Sequence, residues 1–213
     1  AEEQWLTKKF GRLPTIILLP PGIAPHYLRK RNPTLFRKKH HIKGSMVLYV
    51  GRLHPSKGVH KLLAIASSFP TTTFALVGDG PERQSLQQMI KHQRLSNVRL
   101  LGRVSEEEKM QAYASCDVFV HPTEYDAFGI TLLEAMAQEK PVLGSRVGGV
   151  PSVIGLAGLT FMPHDLLDLK KQLRRLLTHK QLRVTLGKRG LKKVESMTWK
   201  NITKHLETLY HSL

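Results

Sequence analysis

The sequence predicts an α/β fold: a Rossmann-like, doubly wound parallel sheet of about six strands, with additional helices at the C-terminus. Three observations predict it. Short apolar runs recur between residues 46 and 162, segments with helical periodicity separate them, and after residue 163 only helical patterns remain. Strands that are apolar on both faces and alternate with helices form parallel sheets covered by helices on both sides.

The predicted strands are bounded by Gly, Pro or Asp and are rich in β-branched or large apolar residues, as buried strands are. In chain order they cover residues 46–50, 73–77, 97–101, 117–121, 141–144 and 159–162. Helices are predicted between them. One begins near Val59, one at Pro81, which suits a first helical position, and one after Ser105, which has Glu108 at the spacing of a capping box.

The two ends of the chain carry different patterns. Residues 164–194 predict two basic helices divided near Thr178, and a final helix follows a Thr198 cap. At the front, residues 1–11 have a helical pattern and 15–19 the pattern of one strand, before a basic stretch. We therefore predict three parts: residues 1–44, the end of a preceding domain and a linker; residues 45–196, a Rossmann-like domain; and residues 197–213, a C-terminal helix.

Charge limits the partners of this chain. Lys and Arg number 33 against 16 Asp and Glu, and two runs, residues 29–43 and 170–193, contain no acid at all. Such runs form a solvated face, or they contact anionic lipid head groups or an acidic partner. Nucleic acid is less favoured, because no aromatic residues interleave the basic runs and no nucleic-acid motif is present.

Composition also bears on location. No apolar run reaches the roughly 20 residues that a membrane span needs, and no signal-peptide pattern is present. The single cysteine, Cys116, excludes an internal disulfide and is expected to pack in the core. We therefore expect a cytoplasmic protein, with the basic runs as a route to peripheral membrane contact.

Glycine and cationic residues follow five of the predicted strands. The carboxyl ends of parallel strands meet at one edge of a sheet, where ligands bind. The turns at this edge are GRLHPSKG (51–58), GDGPER (78–83), GRVS (102–105), HPTEYDAFG (121–129) and GSRVGGVP (144–151). Glycine lets a ligand approach the backbone, and helix N-termini attract phosphate. The five turns together predict a site for a phosphate-bearing ligand.

Arg52 and Lys57 bracket the first of these turns just before a helix begins. Two such cations can clamp a diphosphate, Arg as a planar fork and Lys as a point charge. The GDGPER turn is not a dinucleotide fingerprint, because Arg83 stands where the third glycine is required. NAD and FAD are therefore disfavoured.

Asp126 and Glu134 lie eight residues apart around the Phe128-Gly129 turn. Asp126 precedes the helix and Glu134 lies about a turn and a half inside it, so both carboxylates can face the same crevice. A carboxylate accepts two hydrogen bonds and suits a ribose or sugar diol. The amides from Gly129 onwards face whatever docks over the helix start. No metal-ligand cluster is evident, although His54 and His121 flank the crevice.

These motifs, in this order, resemble the C-terminal, donor-binding half of retaining GT-B glycosyltransferases of the glycogen-synthase and mannosyltransferase-like group, the glycosyl transferases group 1. The matching pieces are GRLHPSKG, LVGDGPER, LLGRVSEEEKMQAYASCDVFVHPTEYDAFGITLLEAMA, KPVLGSRVGGVP and MTWKNITKHLETLY. The resemblance implies one half of a GT-B fold, in which residues 45–196 bind a nucleotide-sugar.

The resemblance also implies roles. Arg52 and Lys57 match the residues that hold the donor diphosphate, and Glu134 matches the acid that binds the ribose. Asp126 matches the acid that contacts the donor sugar, but it is one methylene shorter than the usual Glu. Further positions match the donor pocket: Gly51, Gly78, Gly80, Arg103, Val104, Phe128, Gly129, Ile130, Thr131, Gly148 and Gly149.

The implied reaction moves a sugar from a UDP-, GDP- or ADP-sugar to a glycan or lipid hydroxyl with retention, without a cofactor or metal. Most of the family's N-terminal domain has no counterpart here, so we expect donor binding with little or no transfer by this chain alone. Two alternatives remain: a non-catalytic nucleotide-binding module, and a basic nucleic-acid-binding protein. A sugar-nucleotide epimerase is disfavoured by the Phe-Gly turn and its two acids.

Overall fold

A computed structural model describes Lys8, Lys9, Gly11 and residues 21–211. Its strands are β1 Ser45–Val50, β2 Thr72–Val77, β3 Val98–Gly102, β4 Val118–His121, β5 Val142–Ser145 and β6 Gly158–Phe161. They form one sheet in the order β3-β2-β1-β4-β5-β6, with every neighbouring pair parallel. The Rossmann-like fold is confirmed, and each strand lies within one residue of its predicted bounds. The predicted strand 15–19 and most of the predicted helix 1–11 lie outside the described residues.

The helices are α1 Pro33–Lys39, α2 His60–Ala66, α3 Arg83–His92, α4 Glu106–Ser115, α5 Ile130–Ala137, α6 Val150–Ile154, α7 Leu166–Thr178, α8 Lys180–Glu195 and α9 Trp199–His211. Short 3-10 turns lie at Pro25–Leu28, Pro55–Lys57 and Gly155–Ala157. Alternate residues of β1 belong to two apolar clusters. Leu48 packs in the cluster that contains side chains of α1, α4, α5 and α6, and Val47 packs in the cluster that contains side chains of α2, α3 and α7. This is why the strands are apolar throughout.

One predicted helix start and one predicted capping box need correction. Helix α3 begins at Arg83, because Pro81 lies in a turn that the Arg83 N–H closes onto the Gly80 carbonyl at 3.0 Å. Ser105 does cap α4, accepting from the Glu108 N–H at 3.2 Å. The Glu108 carboxylate, however, accepts hydrogen bonds from Lys39 and His40 instead of closing a capping box. The division after Thr178 and the Thr198 cap are confirmed.

The basic run 29–43 is partly neutralised inside the fold, contrary to its reading as a free basic surface. Helix α1 and the residues around it pack on α4, where three consecutive glutamates begin the helix. The ion pairs are Arg31–Glu107 at 3.1 Å, Arg37–Asp117 at 2.8 Å and Lys39–Glu108 at 2.8 Å. His40 Nε2 also lies within hydrogen-bond distance of Glu108 Oε1, at 2.8 Å. Within the described part of the chain, no Lys or Arg of residues 170–193 forms an ion pair with a carboxylate.

Cys116 is buried, as predicted, and burial raises the pKa of its thiol to about 12. Every helix in the described residues is too short or too polar to pass through a bilayer. The strand order reverses between β1 and β4, which are neighbours in the sheet although two strands separate them in sequence. In doubly wound sheets a crevice opens at this point, outside the carboxyl ends of the strands. The turns that follow β1 and β4 are therefore the first place to examine for a ligand site.

Candidate functional site

The turns at the carboxyl ends of β1, β2 and β3 are joined to one another by backbone hydrogen bonds. The Gly51 N–H donates to the Val77 carbonyl at 3.0 Å, and the Gly78 N–H donates to the Gly102 carbonyl at 2.8 Å. The sheet ladder thus continues one step beyond the strands. The predicted glycine turns form one connected rim.

Glycine is required in this rim because the turns approach each other closely. Gly78 has φ +135, and a Cβ there would lie 1.8 Å from the Gly51 carbonyl oxygen. A Cβ on Gly149 would lie 2.0 Å from the Ala127 carbonyl oxygen. The sequence led us to expect glycine here as room for a ligand, but at these positions the neighbour is protein backbone. The glycines thus contribute to the site by letting its loops pack.

A cavity of about 490 Å³ opens along this rim. The side chains of Arg52 and Arg103 are exposed at its edge, and neither forms an ion pair with any carboxylate of the described residues. Two unpaired guanidinium groups at one opening make it suited to an anion. Six of the predicted positions line this cavity: Gly51, Arg52, Gly78, Gly80, Arg103 and Val104. The other lining residues are Val50, Val77, Asp79 and Lys109.

Asp126 lies at the other side of the crevice, after β4, and all its bonds are to protein donors. Its Oδ2 accepts from Lys57 Nζ at 2.8 Å and His121 Nε2 at 3.0 Å. Its Oδ1 accepts from the N–H groups of Phe128 at 3.1 Å and Gly129 at 2.7 Å. The His121 hydrogen bond, the Lys57 charge and these amides hold the pKa of Asp126 far below its ordinary value. The Gly129 amide, the first of those expected to face a ligand, is therefore bound to Asp126.

Both histidines near the crevice bind protein groups. His54 Nδ1 accepts from the Ser56 N–H at 3.2 Å and so caps the Pro55–Lys57 turn. His121 is 3% exposed, and its Nδ1 lies 3.4 Å from the Thr131 hydroxyl. Thr131 is thereby joined through His121 to Asp126. Among the predicted backbone positions, Ile130 is 54% exposed at the start of α5, which leaves this helix end open to the crevice.

The loops after β1 and β4 are fixed to each other. The Glu124 N–H and the Thr123 hydroxyl both donate to the Ser56 carbonyl, at 2.8 and 2.9 Å. Lys61 is only 4% exposed and pairs with Glu124 at 2.6 Å. The sequence does not mark Lys61, because it lies among apolar residues of α2 and its partner belongs to a distant loop. These contacts hold Lys57 beside Asp126.

Glu134 is 7% exposed on α5 and faces α4. Its Oε2 accepts from the Tyr113 hydroxyl at 2.6 Å, and its Oε1 lies 3.3 Å from Lys109 Nζ. Burial beside Glu134 raises the pKa of Tyr113, so this phenol stays a hydrogen-bond donor. Because Lys109 also lines the 490 Å³ cavity, Glu134 belongs to the same edge as Arg52.

Sequence reasoning missed Lys109 and Tyr113. A signal was present, since Glu106, Lys109 and Tyr113 recur at i, i+3 and i+7 and so share one face of α4. That spacing does not reveal that the face meets Glu134. In the described residues, no group of three or more His, Cys, Asp or Glu side chains is arranged to hold a metal ion.

Comparisons with known proteins identify the family of this chain. The Glycosyl transferases group 1 family matches residues 32–193. The sulfoquinovosyl transferase SQD2 of Arabidopsis thaliana is 32% identical over 172 residues, which cover 78% of this chain and 33% of that protein. The sucrose-phosphate synthase structure from Thermosynechococcus elongatus has a TM-score of 0.85 at 28% identity, and the match covers 99% of this chain and 56% of that one.

The structure of Anabaena HepE in complex with UDP and glucose has a TM-score of 0.80 at 26% identity, and the match covers 90% of this chain and 56% of that chain. This chain thus spans between a third and somewhat over half of the length of these proteins. Its family is nevertheless clear, because the family match covers most of the chain and includes the whole rim and both acids. The chain belongs to the Glycosyl transferases group 1 family.

Proposed function

We propose that this chain is the donor-binding part of a retaining glycosyltransferase and that it binds a nucleoside diphosphate sugar. The observation that carries the proposal is the arrangement at one sheet edge of unpaired Arg52 and Arg103, the Lys57–Asp126 pair and buried Glu134. Cations suit a diphosphate and carboxylates suit diols. The HepE complex with UDP and glucose, and the transferase named among the relatives, support the same ligand class.

Arg52 and Lys57 are assigned to the diphosphate. When the sugar leaves, the diphosphate gains negative charge, so cations placed beforehand stabilise the transition state more than the bound substrate. Arg52 forms no ion pair among the described residues and can contact the diphosphate directly, whereas Lys57 is paired with Asp126 at 2.8 Å. Donor binding therefore requires Lys57 to exchange or share its carboxylate partner. Asp126 competes with the diphosphate for the same cation.

Glu134 is assigned to the ribose and Asp126 to the sugar. Each Glu134 oxygen has one protein donor, so each can accept another hydrogen bond from a ribose hydroxyl. Asp126 gains an open acceptor position only when Lys57 turns to the diphosphate. His121 and the two amides would then keep its carboxylate in place beside the donor sugar.

Transfer itself is proposed to need more than this chain. Residues 45–196 are proposed as the nucleotide-sugar-binding domain. Residues 1–44 are proposed as the end of the preceding domain and a linker, and the helix α1 of this linker packs on the domain. The acceptor, a glycan or lipid hydroxyl, would approach from that preceding domain on the side from which the leaving group departs. Residues 197–213 complete the domain as a C-terminal helix.

Calorimetric titration with UDP, GDP and ADP, followed by their sugars, tests the proposal. We expect one nucleoside diphosphate to bind in preference. The double variant Arg52→Ala/Lys57→Ala should lose at least about tenfold in affinity, since a hydrogen bond to a charged group contributes about 1.5–3 kcal/mol. The matched control Lys38→Ala/Lys91→Ala removes two exposed lysines and should bind like the wild type. Absence of binding to all three nucleotides would contradict the proposal.

A non-catalytic nucleotide-binding module is the second candidate. It predicts the same nucleotide affinity but no transfer when the complementary domain is supplied. A basic nucleic-acid-binding protein predicts salt-dependent DNA or RNA affinity that the Arg52 and Lys57 substitutions reduce only through lost charge.

An anionic membrane surface is the partner we propose for the exposed face of α7. This face carries four cations and an apolar residue, and its groove of about 540 Å³ is lined by Leu167, Lys170, Lys171, Arg174, Arg175, Thr178 and His179. Leu167 is 73% exposed. Cations beside an exposed apolar side chain are typical of helices that lie on acidic lipid.

A further inference from the structure

Lys109 joins three separate elements through its three N–H donors. Its Nζ lies 2.9 Å from the Tyr27 hydroxyl, 3.1 Å from Glu106 Oε2 and 3.3 Å from Glu134 Oε1. An ammonium group has three donors, so this one is fully satisfied. The acceptors come from the Pro25–Leu28 turn, from the first turn of α4 and from α5. Lys109 is therefore held in one position.

That position matters because the carboxylate of Glu134 depends on it. Glu134 is buried, and Lys109 and Tyr113 hydrogen-bond to its side chain. Tyr113 holds Oε2 from one side and Lys109 holds Oε1 from the side of the cavity. A buried carboxylate with two fixed donors has its remaining acceptor positions directed at one place. In the proposed function, that place is the ribose diol.

Tyr27 is in turn fixed to the body of the domain. Its hydroxyl donates to Glu106 Oε1 at 2.5 Å while accepting from Lys109. Gln138 Nε2 donates to the main-chain carbonyls of Tyr27 and Arg29, the second at 3.0 Å. Burial and the neighbouring Glu106 and Glu134 raise the pKa of Tyr27, so it keeps its proton. The Pro25–Leu28 turn thus contacts the same cluster that supports Glu134.

We propose that Lys109 is a positioning residue that sets Glu134 for the ribose hydroxyls, and that Tyr27 anchors Lys109. Packing of the Pro25–Leu28 turn on α4 and binding of the nucleotide ribose are then energetically linked, and the linkage acts in both directions. This inference rests on the proposed function. It adds that the segment preceding the sheet takes part in recognition of the ribose through the Tyr27–Lys109–Glu134 chain.

The first experiment compares two ligands on matched variants. The probe is the tightest-binding of UDP, GDP and ADP, together with its 2′,3′-dideoxy analogue, each titrated by calorimetry. Wild type should prefer the ribose form by about tenfold or more, as expected for hydrogen bonds to a charged acceptor. Lys109→Met should lose most of that preference, and Glu134→Gln should lose it too. Lys109→Arg should recover part of it.

Two further variants separate positioning from simple loss of structure or charge. Tyr113→Phe removes one donor to Glu134 without changing charge, and should also lower the preference for the ribose form. Lys91→Met removes an exposed lysine on α3 and should leave the preference unchanged. Thermal unfolding of each variant confirms that it is folded. A folding defect would lower the affinity for both ligands equally.

The second experiment tests the link to Tyr27. Tyr27→Phe should weaken binding of the ribose nucleotide several-fold and leave the dideoxy form nearly unaffected. Conversely, the ribose nucleotide should slow amide hydrogen exchange in residues 23–31 of wild type, and much less in Lys109→Met. If Lys109→Met weakens both ligands equally, or neither, the inference is overturned while nucleotide binding stands. If wild type binds none of the three nucleotides, the proposed function fails with it.

Discussion

At the scale of single residues, Asp126 decides how the site responds to a donor. Its carboxylate accepts from Lys57, His121 and two backbone amides, so in the structure it fixes the turn before α5 and is the counter-ion of Lys57. A Glu at this position would carry its carboxylate one methylene further from the same amides. The shorter acid therefore favours this closed arrangement, which a diphosphate must open.

Replacing Asp126 by Asn tests that competition. Asn keeps an oxygen for the Phe128 and Gly129 amides but removes the charge that holds Lys57. We expect Asp126→Asn to bind the nucleoside diphosphate, without an attached donor sugar, several-fold more tightly than wild type. The added affinity that the sugar confers should at the same time decrease. Calorimetry with the diphosphate and its sugar measures both, and weaker diphosphate binding would contradict the competition.

The same residue predicts a dependence of stability on pH. Its folded-state pKa is lowered relative to the unfolded value of about 3.9. The ionised carboxylate therefore stabilises the fold fully above that value, and the stabilisation is lost as the pH falls through the folded-state pKa. The difference in free energy of unfolding between wild type and Asp126→Asn should be constant from about pH 6 to 8 and shrink below about pH 4. Urea unfolding at several pH values measures it.

At the scale of elements, α1 extends the domain beyond its first strand. Phe36 is fully buried against the cluster under β1, and the acidic first turn of α4 pairs with the basic residues on and near α1. Apolar packing and ion pairing thus act together on this helix. Residues 33–39 are thus part of the packed body, ahead of the first strand.

Truncation of α1 side chains measures this packing. Phe36→Ala should lower the free energy of unfolding by about 3–5 kcal/mol, the usual cost of removing a buried phenylalanine. Leu35→Ala is the control on the same helix, because Leu35 is 48% exposed and should change stability by less than about 0.5 kcal/mol. Urea unfolding followed by circular dichroism provides both values. Equal losses for the two variants would show that α1 is not docked as described.

At the scale of the whole molecule, the two basic runs differ in a way that the sequence conceals. Several cations of the run 29–43 form ion pairs with glutamates of α4 or with Asp117. The cations of the run 170–193 have no carboxylate partner among the described residues. Of the two runs, the one on α7 and α8 therefore carries more unneutralised charge. Because of this difference, we expect an anionic partner to bind at α7 and α8.

Vesicle co-sedimentation tests which run carries the interaction. Wild type should bind vesicles containing phosphatidylglycerol but not neutral phosphatidylcholine, and the binding should fall as salt rises. The test variant changes the four cations of the α7 face to Gln: Lys170, Lys171, Arg174 and Arg175. The control changes four exposed cations of the other run to Gln: Arg29, Lys30, Lys38 and Lys43.

The α7 variant should lose at least about tenfold in vesicle partitioning, since each basic residue near an acidic surface contributes about 1 kcal/mol. The control variant should lose less. Equal losses would show that only net charge matters. Wild-type binding to RNA or to an acidic protein, without binding to acidic vesicles, would exclude the membrane as the partner.

Much of the fold could be predicted from the chain alone. Strand and helix types follow from local periodicity, and all six strands were located within one residue because each is a short apolar run ended by Gly, Pro or Asp. The parallel orientation of the strands follows from the alternation of strands and helices. That the turns after these strands share one edge is a consequence of parallel topology, which explains why Arg52, Gly78 and Arg103 were predicted together and line one cavity.

What only the tertiary structure decided is which side chains meet. Lys57 is 69 residues from Asp126, and Tyr27 is 82 from Lys109, so no periodicity or local spacing relates them. Burial and charge compensation act between distant elements. They determined that one basic run is partly neutralised, that backbone of neighbouring loops packs against the glycines, and that Glu134 depends on Lys109. The sequence by itself determined the elements and the rim on which a ligand would bind. The pairing of partners on that rim required three-dimensional packing, because hydrogen bonds and ion pairs depend on distance in space and not along the chain.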